Sequence, residues 1–264
     1  MISPRMARAG LGAFALGLAL CLPPHAQARG CSGPITVSTG QWEPYAYFDA
    51  GGRFVGIDID MTRAIFKEAG CVLVELPSRP TVRNLLLFES GEIDLMMGAS
   101  LTPERQRFAR FSVAYRDETV GLFSLAENAG RYRAMRSFDA LLASPATLLA
   151  PKAGWYGAQY ARHMQEMREA KRLSQFMDFA QGMRMLAAGR ADFMMGDASA
   201  VENAAVHLGV RVQPLPFWVL QAPVHLMFSR RTVTPADVAR LDAAIGRLQK
   251  RGEFERIRRT YAGG

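Results

Sequence analysis

Residues Gly91–Gly98 read G-E-I-D-L-M-M-G, and residues Gly189–Gly196 read G-R-A-D-F-M-M-G, 98 positions later. Each copy follows a helix-like stretch, Arg83–Glu89 in the first and Phe179–Ala188 in the second. In each, the leading glycine stands where a helix ends in a left-handed cap. The apolar run then suits a short buried strand, closed by a glycine and a polar turn. One helix–strand unit repeated at that distance predicts two similar α/β lobes. After the second glycine the copies diverge, into Ala99-Ser100-Leu101-Thr102-Pro103-Glu104-Arg105 and Asp197-Ala198-Ser199. Different polar groups at equivalent strand exits are what a cleft between two lobes requires. Chance recurrence in an Ala- and Met-rich chain is the competing explanation.

The first residues carry a different signal. Arg5 and Arg8 precede an apolar run, Gly10–Leu22, and Ala26-Gln27-Ala28 fits a small-residue cleavage pattern. Residues 1–28 are therefore read as a secretory signal peptide, which makes the mature chain periplasmic. A lipoprotein reading through Cys21 is weaker, because Leu20 occupies the place of a small residue. Removing Arg5 and Arg8 with no acid lowers the formal charge from +8 to +6. The remaining basic residues are dispersed and not interleaved with aromatics, which argues against nucleic acid. Cys31 and Cys71 remain in an oxidising compartment. They flank a helix, Asp60–Ala69, between the strands Ile35–Thr39 and Val72–Leu76. In a β-α-β unit the two strand starts lie side by side, so a Cys31–Cys71 disulfide is expected.

The rest of the chain alternates, with strands over Glu118–Leu125, Thr147–Ala150, Val210–Pro214 and Pro223–Ser229. Helices are expected over Gly157–Ala170, Ala198–Leu208, Pro235–Arg251 and Glu253–Tyr261, and a polar surface loop over Ala126–Arg136. Alternation of this kind means α/β with mostly parallel sheets. Glu118–Leu125 and Pro223–Ser229 suit strands crossing between lobes. The expected division is one discontinuous lobe, residues 30–120 plus 225–264, and one inserted lobe, residues 121–224, each with its own sheet.

Recognisable catalytic and metal chemistry is sparse. His163, His207 and His225 lack ligand spacing, so no metal and no cofactor is expected. There is no G-x-S-x-G and no P-loop. The methionine pairs read as core filling, and Asp94 and Asp192 as turn acceptors. The polar groups of interest lie at strand exits, where open α/β sheets bind ligands. Trp42 and Tyr45 offer an aromatic wall after the first strand, and Lys152, Gly154 and Trp155 follow Thr147–Ala150. Arg105, after Ser100 and Thr102, can pair with a carboxylate through two N–H groups. It reads equally well as a surface arginine. Asp197, after the second strand copy, could accept from an ammonium, but reads slightly better as a helix cap.

The stretches Trp42–Asp49, Gly52–Met61, Ser90–Arg105 and Phe108–Tyr115 together resemble the family 3 extracellular solute-binding proteins, the polar-amino-acid-binding class that serves ABC importers. The resemblance runs over nearly all of the mature chain. It implies a type II periplasmic-binding-protein fold, with two lobes hinged on two strands and closing on a ligand. It further implies that Arg105 holds the ligand carboxylate, Gly98 and Ser100 meet its amino and carboxylate groups, Asp197 holds the α-amino group, and Trp42 stacks nearby. Two departures stand out. Trp155 occupies the place of a family hydroxyl residue, and Gly40 or Gln41 stands where some members carry an acid. The expected function is capture of an amino acid or related small carboxylate by a monomer that docks on a membrane permease, without catalysis. Two alternatives are an enzyme on the same fold, resembling the cyclohexadienyl dehydratases that act on prephenate or arogenate, and a ligand-sensing partner of a membrane receptor.

Overall fold

A computed structural model describes Met1, residues 30–38 and residues 40–261. The expected signal peptide lies outside the described residues. In chain order the elements are β1 (Ile35–Val37), β2 (Tyr47–Phe48), β3 (Phe54–Val55), α1 (Ile57–Ala69), β4 (Leu73–Glu75), α2 (Thr81–Ser90), β5 (Leu95–Ser100), α3 (Pro103–Gln106) and β6 (Ala109–Phe111). Then come β7 (Arg116–Leu125), α4 (Phe138–Leu142), β8 (Leu148–Pro151), α5 (Ala158–Glu169), β9 (Leu173–Phe176), α6 (Phe179–Ala187), β10 (Phe193–Asp197), α7 (Ala198–His207), β11 (Val212–Ser229), α8 (Pro235–Lys250) and α9 (Glu253–Tyr261).

The main sheet runs β4-β1-β5-β11-β7-β10-β8-β9, with β6 also paired to β11. Strands β4, β1 and β5 are parallel, as are β10, β8 and β9. Between these groups β11 and β7 form an antiparallel seam. The expectation of a separate sheet for each copy of the repeat is corrected here. Both copies belong to one hydrogen-bonded network, because the segments read as Val210–Pro214 and Pro223–Ser229 merge into the single 18-residue strand β11. Pro214, Pro216 and Pro223 lie within it. The β7–β11 register shifts between Pro214 and Trp218 and again between Trp218 and Leu220, which accommodates residues without a backbone N–H.

The repeat is real at the level of side chains. Asp94 Oδ2 accepts hydrogen bonds from the backbone N–H and the hydroxyl of Thr36, at 2.8 and 2.7 Å. Asp192 Oδ2 accepts the same pair from Thr147, both at 2.8 Å. In both copies the threonine hydroxyl also accepts from the aspartate's own N–H, at 3.1 Å. Each aspartate thus locks the entrance of its strand to the neighbouring strand, as expected of a turn acceptor. Asp192 also accepts from the Tyr132 hydroxyl. Tyr132 is buried against Phe193, so the region read as a polar surface loop instead contains a short 3₁₀ turn, Ala126–Tyr132, with an anchored end.

The packing around the two strand groups differs in its residues. Leu95 faces α1, α8 and α9 through Met61, Ile65, Leu241, Ile245 and Ile257. On β10, Phe193 and Met195 join one core while Met194 joins another with Met183, Leu186 and Val201. This is the period-2 alternation of a strand buried on both faces. Cys31 and Cys71 are bridged, with Cα atoms 5.0 Å apart at the starts of the adjacent parallel strands β1 and β4. Helix α1 begins at Ile57, three residues before the expected start, and so draws Asp58 into its first turn.

Candidate functional site

A cavity of about 440 Å³ opens at the strand exits, lined by residues from both parallel groups and from β7. Of the expected site residues, Trp42, Gly98, Ser100, Arg105, Lys152, Gly154 and Trp155 line it. Tyr45 and Asp197 do not. They are hydrogen-bonded to each other, Tyr45 Oη donating to Asp197 Oδ1 at 2.7 Å, and both are buried. Asp197 also caps α7 by accepting from the Ala200 N–H at 3.2 Å. Burial pushes the Asp197 carboxyl above the ordinary carboxylate range, against the pull of Arg116, Tyr45 and Ala200.

Arg105 is placed by a local device. Thr102 caps α3 by accepting from the Arg105 N–H at 3.2 Å, with Pro103 at the first helical position. The guanidinium then reaches back, Nη1 donating to the Ser100 carbonyl at 2.9 Å. Burial lowers its pKa, opposed by Glu118, Tyr156 and Glu104. A guanidinium has five N–H donors, so this anchor leaves capacity for an anion in the cavity. Ser100 Oγ donates to Glu118 Oε1 at 2.9 Å. Glu118 is 6% exposed and lines the cavity. Burial raises its carboxyl to about 7, with Ser100, Arg116 and Arg105 opposing.

Behind the cavity wall lies a fully buried ion pair. Arg116 donates to Asp58 through Nε at 2.6 Å and through Nη2 at 2.8 Å. Burial disfavours the Arg116 charge, but Asp58, Tyr115 and Tyr45 together outweigh it and the pKa rises well above the ordinary value. The guanidinium lies 4.0 Å from the centre of the Tyr45 ring and 5.7 Å from that of Trp42. These cation–π contacts hold the two aromatics against β7. Gly98 sits at φ 61°, where an added Cβ would come within 2.7 Å of the Trp42 ring and 3.0 Å of Asp58 Oδ2. Its N–H donates to Tyr115 Oη at 2.8 Å. On the opposite side Gly154 has φ 119°, and a Cβ there would meet Tyr156 Oη at 2.7 Å. The Tyr156 hydroxyl donates to the Ala153 carbonyl at 3.0 Å. A phenol at the next position therefore stands close to where Trp155 displaces the expected hydroxyl residue.

Asp58, Arg116, Glu118 and Tyr156 were not singled out as site residues by sequence reasoning. Alternation along β7 carries the available signal, since Arg116 and Glu118 are charged residues on the buried face of a strand whose later members there are Val120 and Leu122. Met96 and Met97 line the cavity, so that methionine pair does more than fill a core. His207 is exposed and lies 3.6 Å from Glu43. Among the described residues no group of three or more His, Cys, Asp or Glu is arranged to hold a metal, and no helix is long and apolar enough to cross a membrane.

Bacterial extracellular solute-binding proteins, family 3, match residues 35–264 of the chain. A cyclohexadienyl dehydratase of Pseudomonas aeruginosa is 28% identical over 170 residues, 63% of this chain and 60% of that enzyme. The chain thus aligns with less than two thirds of that relative's length. Among solved structures, an amino acid ABC transporter substrate-binding protein from Streptococcus pneumoniae bound to L-arginine superposes with a TM-score of 0.71 at 20% identity. The superposition covers 87% of this chain and 94% of that one. A histidine kinase sensor domain with similarity to periplasmic binding proteins gives a TM-score of 0.72 at 19% identity, covering 87% and 96%. Likeness at these identities establishes a common fold.

Proposed function

The chain belongs to the bacterial extracellular solute-binding proteins, family 3, and from that premise we propose that it captures an amino acid or related small carboxylate in the periplasm and presents it to the membrane permease of an ABC importer. The observation that carries this reading is Arg105, half-buried in a cavity lined from both strand groups, anchored through one nitrogen on Ser100. In this reading residues 30–120 plus 225–264 and residues 121–224 act as two lobes, and β7 and β11 are the hinge between them. A bound carboxylate would take the remaining Arg105 donors in a site shielded from water, where charge-assisted hydrogen bonds are strong. Trp42 and Trp155 offer apolar walls on opposite sides. Lys152 and Gly154 complete the second side.

The test is a thermal-shift screen of amino acids and small organic acids against the mature chain, followed by calorimetry on Arg105→Ala. That variant should lose at least about 30-fold in affinity for a ligand held by its carboxylate, the consequence of roughly 2–5 kcal/mol for a desolvated charge left unpaired. Equal affinity in the variant and the parent would remove Arg105 from the site.

A second reading is supported by the P. aeruginosa relative together with Glu118. A buried carboxyl with a pKa of about 7 facing a cavity is suited to proton transfer. On that reading the chain is a dehydratase acting on cyclohexadienyl acids. Incubation with prephenate and with arogenate, followed for loss of the cyclohexadiene, separates turnover from binding.

A further inference from the structure

We propose that Glu118, rather than Asp197, receives the cationic group of the ligand, and that Arg105 and Glu118 together select a zwitterion whose two charges lie close to one another. This inference rests on the reading of the cavity as a small-carboxylate site. Asp197 is committed elsewhere: it is 3% exposed, accepts from Tyr45 and from the α7 backbone, and does not line the cavity. Its bond to Tyr45 joins residue segments 30–120 and 121–224, so its role is to hold the two sides of the cleft together.

Glu118 has the complementary placement. It lines the cavity, and its Oε1 accepts from the Ser100 hydroxyl, whose residue also anchors Arg105 through its carbonyl. One residue of β5 therefore positions both a cation and an anion at the same end of the cavity. An α-amino acid carries its carboxylate and its ammonium on a single carbon, and this pair of adjacent opposite charges matches that arrangement. Arg116, two residues along β7, is committed bidentately to Asp58 and so is not dedicated to Glu118. A carboxylate desolvated to this degree costs folding free energy unless a partner arrives. A ligand ammonium supplies that partner. The titratable groups facing Glu118 are Arg105 from α3, Arg116 on β7, Asp197 at the end of β10 and Tyr156 before α5. Of these, the two cations favour its ionised form and the Asp197 charge opposes it.

The experiment is calorimetry on the mature chain with the twenty common L-amino acids, each paired with the carboxylic acid that lacks only the α-amino group. The pair containing the tightest parent ligand is then measured on Glu118→Gln and Asp197→Asn. The parent should prefer the amino acid by at least 30-fold. Glu118→Gln, which keeps an acceptor for Ser100, should bring the two members within about threefold of each other. Asp197→Asn should weaken both members by the same factor. In the parent alone, amino-acid affinity should rise about tenfold between pH 6 and pH 8, as Glu118 ionises across a midpoint of about 7. That arm needs no variant to fold. The proposal is overturned if Asp197→Asn alone erases the preference, if the parent shows no preference, or if the preference is flat with pH. Binding of no carboxylate at all, or full binding by Arg105→Ala, overturns the underlying site reading as well. Loss of the Glu118 effect alone leaves the Arg105 reading standing.

Discussion

Gly98 shows how tightly single residues are constrained around the cleft. Its left-handed backbone and the aromatic edge of Trp42 leave no room for a methyl group. Gly98→Ala should destabilise the protein by roughly 2–3 kcal/mol through strain and overpacking, measured by denaturant unfolding, and should tilt Trp42 into the cavity. Glu118 is expected to behave in the opposite way. Its carboxyl moves from an ordinary 4.5 to about 7 in the folded protein because burial disfavours the charge. Between these values the folded state holds a proton that the unfolded chain has released, so stability falls as pH rises through the window and the loss is complete above it. At about 1.36 kcal/mol per pH unit, the penalty at pH 8 is roughly 3 kcal/mol. Glu118→Gln should therefore raise the stability of the ligand-free protein at pH 8 by about that amount and change little at pH 4. Unfolding curves at the two pH values check this. A stabilising substitution at a cavity carboxylate is the mark of a residue kept for binding rather than for folding.

At the scale of elements, the β1–α1–β4 unit carries its own staple. The disulfide closes a loop of 40 residues between adjacent parallel strands. On the chain-entropy account such a closure contributes roughly 3–4 kcal/mol. A Cys31→Ser/Cys71→Ser double variant should lose about that much in denaturant unfolding, and the oxidised mature chain, which lacks Cys21, should show no titratable thiol after unfolding. Helix α8 is fastened by a different device. Thr234 and Asp237 form a capping box, and Asp237 also accepts from the Ser32 N–H and hydroxyl. Those bonds overcome the effect of burial and hold the Asp237 carboxyl at about 2. The terminal helix pair is thereby tied to the segment that enters β1, so the first and last described stretches of the chain share one core.

For the whole molecule, the long strands β7 and β11 decide the behaviour. They pair with each other over most of their length and, between them, with strands of both groups, so on the proposed two-lobe reading they are the two strands that any hinge motion would have to bend. The Tyr45–Asp197 hydrogen bond links the segment before β2 to the end of β10. A ligand held by Arg105 in the proposed site would stabilise the folded protein by mass action. At about 100 times its dissociation constant it should add roughly 2.7 kcal/mol, hence about 5–10 °C in melting temperature for a chain of this length. Arg105→Ala should abolish most of that shift, which scanning fluorimetry measures directly.

Much of this organisation is legible in the linear chain because it depends on local periodicity and on pairs fixed by topology. The repeated G-x-x-D-x-M-M-G units and the cysteines flanking one β-α-β unit each follow from spacing that elementary geometry limits to a few outcomes. The fate of Asp197 does not. It occupies a strand exit where a ligand group is expected, yet the partner that claims it, Tyr45, lies 152 residues away. Asp58, Arg116 and Glu118 are likewise ordinary charged residues until the fold removes them from water and sets one facing another. The joining of both strand groups into a single sheet depends on β11 running unbroken through three prolines, which local preference argues against and which pairing with β7 overrides. Patterns along the chain determined which elements form and where a cleft would open. Only tertiary structure decided which of those charged groups are buried and which protein groups they are paired with, because desolvation and pairing are properties of neighbours distant in sequence.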